Sequence, residues 1–129
     1  MALSVYAKNK ILDHALGGTA WTQPVPWISL HTADPGATGA GEVAGGAGPY
    51  RRQSAAGKFA AAAGGSKASN AVLDFPGMPA VTVTHVGIWD AATAGNFIEG
   101  GALHQSKKIA NVGDMFRLTT TDLVVTFTS

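Results

Sequence analysis

The sequence predicts a mainly β domain: a jelly-roll-like antiparallel β-sandwich with one N-terminal α-helix and long Gly/Ala-rich loops. Three observations predict it. Roughly seven or eight short β-compatible runs follow one another at even spacing with turn chemistry between them, the pattern of a sandwich, jelly roll or related barrel. The stretch Val81 to Leu103, VTVTHVGIWDAATAGNFIEGGAL, reads as two strands joined by a small-residue turn. One segment near the start, and only one, has persuasive helical periodicity.

The totals are consistent with this. A chain of 129 residues is read as one domain over 1–129, with the helix at about 4–16 and the sandwich at about 25–128. Apolar residues make up 46%, much of it Ala, while 17 Gly and 6 Pro imply a large irregular fraction. Charged residues are 13% with a net charge of +1, which leaves no electrostatic footprint for nucleic acid or an anionic membrane. The absence of Cys removes disulfides, thiolate zinc sites and thiol nucleophiles together. No apolar run approaches the roughly 20 residues of a membrane helix, and MALSVYAKNK lacks the apolar core of a signal peptide. The expectation is a soluble protein made in a reducing cytoplasm.

Taken in order, Ser4 to Leu16 places Ala7, Ile11 and Ala15 on one ridge with Leu12 and Leu16 beside it. Ser4 caps the start and Gly17-Gly18 ends the helix. Its amphipathic face should lie across a sheet or into a partner. Thr19 to Pro26 is a connector holding Trp21, and Val25 to His31 reads as the first strand, with Pro26 marking an edge or a start. Thr32 to Pro49 is eighteen residues rich in Gly with little to bury, a long surface loop of the kind that binds or is disordered.

Tyr50 to Phe59 suggests a polar strand, Ala60 to Asn70 a small-residue segment, and Ala71 to Phe75 a short strand closed by Pro76-Gly77. In the central stretch, alternation puts Val83, His85, Gly87 and Trp89 on one face and Val86 and Ile88 on the other. Bulky groups on both sides suit the interior of a sandwich. Ala91 to Asn96 forms the turn, and Phe97 resumes the pattern. Gln105 to Ile109, Met115 to Leu118 and the β-branched run Leu123 to Thr128 complete the strands.

Few residues suggest chemistry. His31 and Asp34 have metal-like spacing but read first as a turn in which Asp34, before Pro35, accepts backbone hydrogen bonds. His85 reads as a buried histidine with a satisfied hydrogen bond. Separate Ser, His and Asp residues do not make a triad, and no nucleophile elbow is present. Gly39 to Ala44 matches the loose dinucleotide pattern outside any βαβ unit, and no P-loop exists. Asp90 and Glu99 flank the turn and read as solvated turn charges rather than a glycosidase pair, which needs carboxylates about 5 to 10 Å apart in a cleft. The basic pairs Arg51-Arg52 and Lys107-Lys108 read as solvated strand edges, or as docking contacts to an acidic partner. Trp89 reads as core and Trp21 as an anchor.

The order ALSVYAKNKILDHALGGTAW, ISLHTADPGATGAGEVAGG, PYRRQ, SNAVLDFP, VTHVGIWDAATAGNFIEGGAL and GDMFRLTTTDLVVTF resembles a family of small tailed-bacteriophage virion proteins, labelled tail-fibre-like or capsid decoration proteins. The resemblance covers nearly the whole chain. It implies a non-enzymatic virion protein with no catalytic residue, metal or cofactor, most similar to a jelly-roll cement protein of short-tailed phages. Such a protein sits on the capsid exterior and bridges major capsid subunits, with itself as a further partner in a dimer or trimer and neither nucleic acid nor membrane involved. The alternatives are a tail-fibre or baseplate component, or a carbohydrate-binding module using Trp21 and Tyr50. Expected contacts are Trp21, Gly39, Gly41, Glu42, Tyr50, Arg51 and Arg52, together with the helix face.

Overall fold

A computed structural model describes residues 2–43 and 50–126. It is mainly β, antiparallel throughout, with one N-terminal helix, as a sandwich of this class requires. Five strands form the main sheet: β1 (Ala2–Leu3), β2 (Trp27–His31), β3 (Gln53–Ser54), β6 (Thr82–Trp89) and β7 (Phe97–Lys108), in the order β1-β7-β6-β2-β3. Two ribbons accompany it, one of β4 (Ser66–Ala68) with β9 (Val124–Thr126) and one of β5 (Leu73–Met78) with β8 (Asp114–Leu118).

The single helix, α1 (Val5–Leu16), begins where expected. Ser4 is extended, and its hydroxyl accepts from the Ala7 amide at 3.1 Å, satisfying one of the helix's unpaired donors. The same hydroxyl donates to the Phe97 carbonyl, and the Ser4 amide donates to the Ile98 carbonyl at 2.8 Å. One buried serine therefore both starts the helix and ties it to β7. Gly17, at φ +99°, ends it. The apolar ridge is only partly used: Ala7 is buried, but Leu12 and Leu16 remain 53% and 81% exposed.

Strand β2 explains why both faces of the sheet are covered. Ile28 and Leu30 point one way, into a core with Phe75, Met78, Val83, Val86, Phe116, Leu118 and Leu123. Ser29 and His31 point the other way, yet both are fully buried. The segment 32–43 covers them. It hydrogen-bonds back to β2 through Thr32 N to Gly41 O at 3.1 Å and Val43 N to Leu30 O at 2.9 Å, and it buries Pro35 and Gly39. Its described part is thus a packed cover, not the free surface loop expected from its composition. The rest of that loop, 44–49, lies outside the described residues, as does the end of the C-terminal run at 127–128.

Several expected elements shift. The simple alternation along β6 fails, and its register with β7 shifts between Val83 and His85 and again between Ile88 and Trp89. At both places the extra residues lie on β7: Val83 to His85 spans two steps against five from Lys107 to Ala102, and Ile88 to Trp89 one step against two from Glu99 to Phe97. Val83, Val86 and Ile88 share the core, although strict alternation separates Val83 from the other two. Strand β5 runs on through Pro76-Gly77 to Met78, with an irregularity between Phe75 and Met78. The polar strand expected over 50–59 shrinks to Gln53–Ser54, while β4 emerges from the small-residue segment. His85 is half-buried, with Thr84 Oγ1 at 2.8 Å from its Nδ1.

Candidate functional site

The residues singled out in the sequence gather mainly where the cover segment meets the β6–β7 turn. Arg52, just before β3, is the centre of this site. Its Nε lies 3.0 Å from Glu42 Oε2, and its Nη2 donates to Glu42 Oε1 at 2.9 Å. Its Nη1 donates to the carbonyls of Ala91 at 3.1 Å and Ala94 at 2.9 Å. The guanidinium carbon also sits 3.8 Å from the centre of the Trp89 ring. A planar fork with five donors can satisfy a carboxylate and two carbonyls while stacking on an indole, and a lysine cannot.

Tyr50 completes the clamp. Its hydroxyl donates to Glu42 Oε2 at 2.9 Å and accepts from the Leu30 amide at 2.9 Å. Burial, helped by the negative charge of Glu42, holds the phenol well above its ordinary pKa, so it stays a donor. Glu42 itself forms an isolated bridge with His31, which brings its carboxylate over the sheet. The turn it reaches is pinned from inside. Asp90 accepts from the Asn96 amide at 2.7 Å and from Asn96 Nδ2 at 3.0 Å. Burial works against the Asp90 carboxylate, but these bonds and one from Tyr6 outweigh it and lower its pKa.

A second set of bonds holds the cover segment from beneath. Trp89 Nε1 donates to Ser29 Oγ at 2.8 Å, Ser29 Oγ lies 2.6 Å from His31 Nε2, and His31 Nδ1 lies 2.7 Å from the Ala40 carbonyl. Because a carbonyl only accepts, Nδ1 carries the proton and Nε2 accepts from the serine. Burial lowers the pKa of His31 and keeps it neutral. Gly39 lies against the Trp89 indole at φ +81°, where an added Cβ would stand 2.5 Å from Trp89 Cζ2. Only glycine allows so close an approach in that conformation.

The expected contacts are therefore divided. Glu42, Tyr50, Arg51 and Arg52 line one open cleft of about 500 Å³ with Trp27 and Thr93. Gly39 is buried against Trp89 in the cover segment, whereas Gly41 is exposed, with a Cβ there standing 3.4 Å from that of Ala33. Trp21 is elsewhere, in a separate apolar groove. Arg51 is exposed as a strand-edge charge should be, but Arg52 is not: its side chain is only 8% exposed, because its charge is consumed inside the clamp. Sequence reading missed Ser29, His31 and the carbonyls of Ala91 and Ala94 as partners. The alternation of β2 offered a signal, since it turns Ser29 and His31 toward the same side.

His31 and Asp34 do not form a metal pair. Both ring nitrogens of His31 are engaged, and Asp34 Oδ1 accepts from the Gly36 amide at 2.9 Å, the turn bond expected of it. Among the described residues no group of three or more His, Cys, Asp or Glu side chains is placed to hold a metal ion. Among the described residues no helix is long and apolar enough to cross a membrane.

In this β domain Arg52, Glu42, Tyr50 and Trp89 together pin one segment to the sheet. Residues 2–126 match the family model Gp80, described as podophage GP4 fiber I protein gp80. The chain belongs to this family, one of small structural proteins of short-tailed phage virions. No curated protein matches the chain.

Proposed function

We propose that the protein is a non-enzymatic structural component of a short-tailed phage particle and acts in its fibre, joining neighbouring protein subunits. The family match carries this reading, because it spans 2–126 and its description names a fibre protein. The clamp agrees with it. Four of the five Arg52 N–H donors are satisfied internally, so the cleft offers a firm surface rather than a reacting group.

The contact surface in this reading is the cleft rim, with Arg51 exposed at its edge and Tyr50, Glu42 and Arg52 supporting it from within. A second copy of the chain and an adjoining virion protein are its partners. Repetition in a particle multiplies a modest contact, so high affinity at one site is not required. Capsid cementing, with the major capsid protein as partner, is the rival reading and draws on the sequence resemblance.

Location separates the two. Gold-labelled antibody against the protein, imaged on intact particles, should decorate the tail. Label spread over the shell would sink the fibre reading in favour of cementing.

A further inference from the structure

The second feature of the surface is the apolar groove that holds Trp21. Pro24, Pro26, Phe59 and Val125 share its wall, and its volume is about 470 Å³. One acid, Glu99 of β7, lies in this lining. The sequence suggested a solvated turn charge. Instead Glu99 is 4% exposed, and its Oε2 is buried without a hydrogen-bond partner among the described residues. Buried polar atoms without partners are rare in folded proteins and call for an explanation.

We propose that this groove docks a partner protein by receiving an aliphatic side chain that ends in a cation, the chemistry of lysine, with its ammonium on Glu99 Oε2. The wall and the acid select the same ligand. A four-carbon stem packs against Trp21, the prolines and Phe59, and only a donor at its tip can satisfy a carboxylate oxygen. A positive tip also removes the penalty of a buried charge, which a neutral donor does only in part. The groove exceeds one side chain, so flanking apolar residues of the partner enter with it.

Two charges of this chain bear on the site. Lys67 of β4 also lines the groove but is exposed and makes no ion pair with Glu99 among the described residues. The chain's amino terminus, beyond β1, acts on Glu99 as a favourable charge but does not offset its burial: the carboxyl is pushed up to about 7. The inference does not rest on the fibre assignment, since any protein partner with such a side chain would serve.

The test is a titration of the full chain with n-hexylammonium, n-hexanol and hexanoate, read from the NMR shift of the Trp21 indole N–H. Hexylammonium should saturate the site about tenfold more tightly than hexanol, with no binding of hexanoate. Glu99→Gln, an isosteric change whose fold is checked by circular dichroism, should bring the amine and the alcohol to equal affinity. Hexanol binding as tightly as the amine to the unaltered chain, an unchanged preference in Glu99→Gln, or no shift of Trp21 with hexylammonium would each overturn the proposal.

Discussion

The Arg52 guanidinium lies 3.8 Å from the centre of the Trp89 ring while its Nη2 donates to Glu42 at 2.9 Å. One side chain thus joins the cover segment, the approach to β3 and the β6–β7 turn. Removing it leaves the Glu42 carboxylate with only the Tyr50 hydroxyl as donor and takes the Arg52 donor from two carbonyls. Arg52→Ala should cost about 2–4 kcal/mol in urea unfolding. Arg52→Lys should recover less than about half of that, since an ammonium cannot serve the carboxylate and both carbonyls while stacked. Full recovery by lysine would mean that charge alone matters.

Two glycines of the same segment should respond differently to alanine. At Gly39 the new Cβ meets Trp89 at 2.5 Å and φ is +81°, whereas at Gly36 φ is +59° with open space around the position. Gly36→Ala should cost about 1 kcal/mol from backbone strain alone. Gly39→Ala adds displacement of the indole and should cost about 2–4 kcal/mol, measured by thermal melting of both variants. Equal losses would contradict the packed-cover description.

Ser29 sits between two donor–acceptor steps, from Trp89 to His31. Ser29→Ala strands a part-buried indole N–H and a buried imidazole nitrogen, and should cost about 2–3 kcal/mol in urea unfolding. The histidine adds an acid limb. Its folded pKa is depressed by burial, so the unfolded chain binds the extra proton first, and stability falls as pH drops below about 6.5. His31→Gln should flatten that limb in a series of melts across pH, and an unchanged limb would remove His31 as its source.

Glu99 works in the opposite direction. Its carboxyl is pushed up from 4.5 to about 7 by burial, so below 4.5 it is protonated both folded and unfolded and has no effect. As pH rises from 4.5 through 7 the unfolded chain loses its proton first, and the folded state is progressively disfavoured. Glu99→Gln should therefore gain stability with rising pH across that window, by at most on the order of 3 kcal/mol. A gain independent of pH would show that the carboxyl titrates alike in the folded and unfolded chain, against the upward shift.

The sequence carried much of this fold because its clearest signals are local. The β6–β7 hairpin is legible from Trp89-Asp90 followed by Gly95-Asn96-Phe97, and it forms with Trp89 paired to Phe97. Helix α1 is legible from Ser4, its apolar ridge and Gly17. The losses are non-local. Alternation counted along one strand does not register shifts against its neighbour, and Val83 joins Val86 and Ile88 in the core. Glu99 follows the irregularity at Trp89 and was read as a turn charge. Small residues conceal packing: Pro35 and Gly39 are buried by shape, not hydrophobicity. Arg52 looked like a surface charge because its partners, Glu42 and two turn carbonyls, are reached only through the fold. Of the candidate contacts, the cluster of Glu42, Tyr50, Arg51 and Arg52 was legible as a group of residues, but not its inward role.

The central claim is that this chain is a fibre component of the particle. The most direct measurement is its abundance in purified virions, by quantitative mass spectrometry against the major capsid protein. The fibre account predicts that the chain is present at a small fraction of the capsid protein's abundance. Parity with the capsid protein would contradict it in favour of a shell-wide cement, and absence from the particle would contradict any virion role.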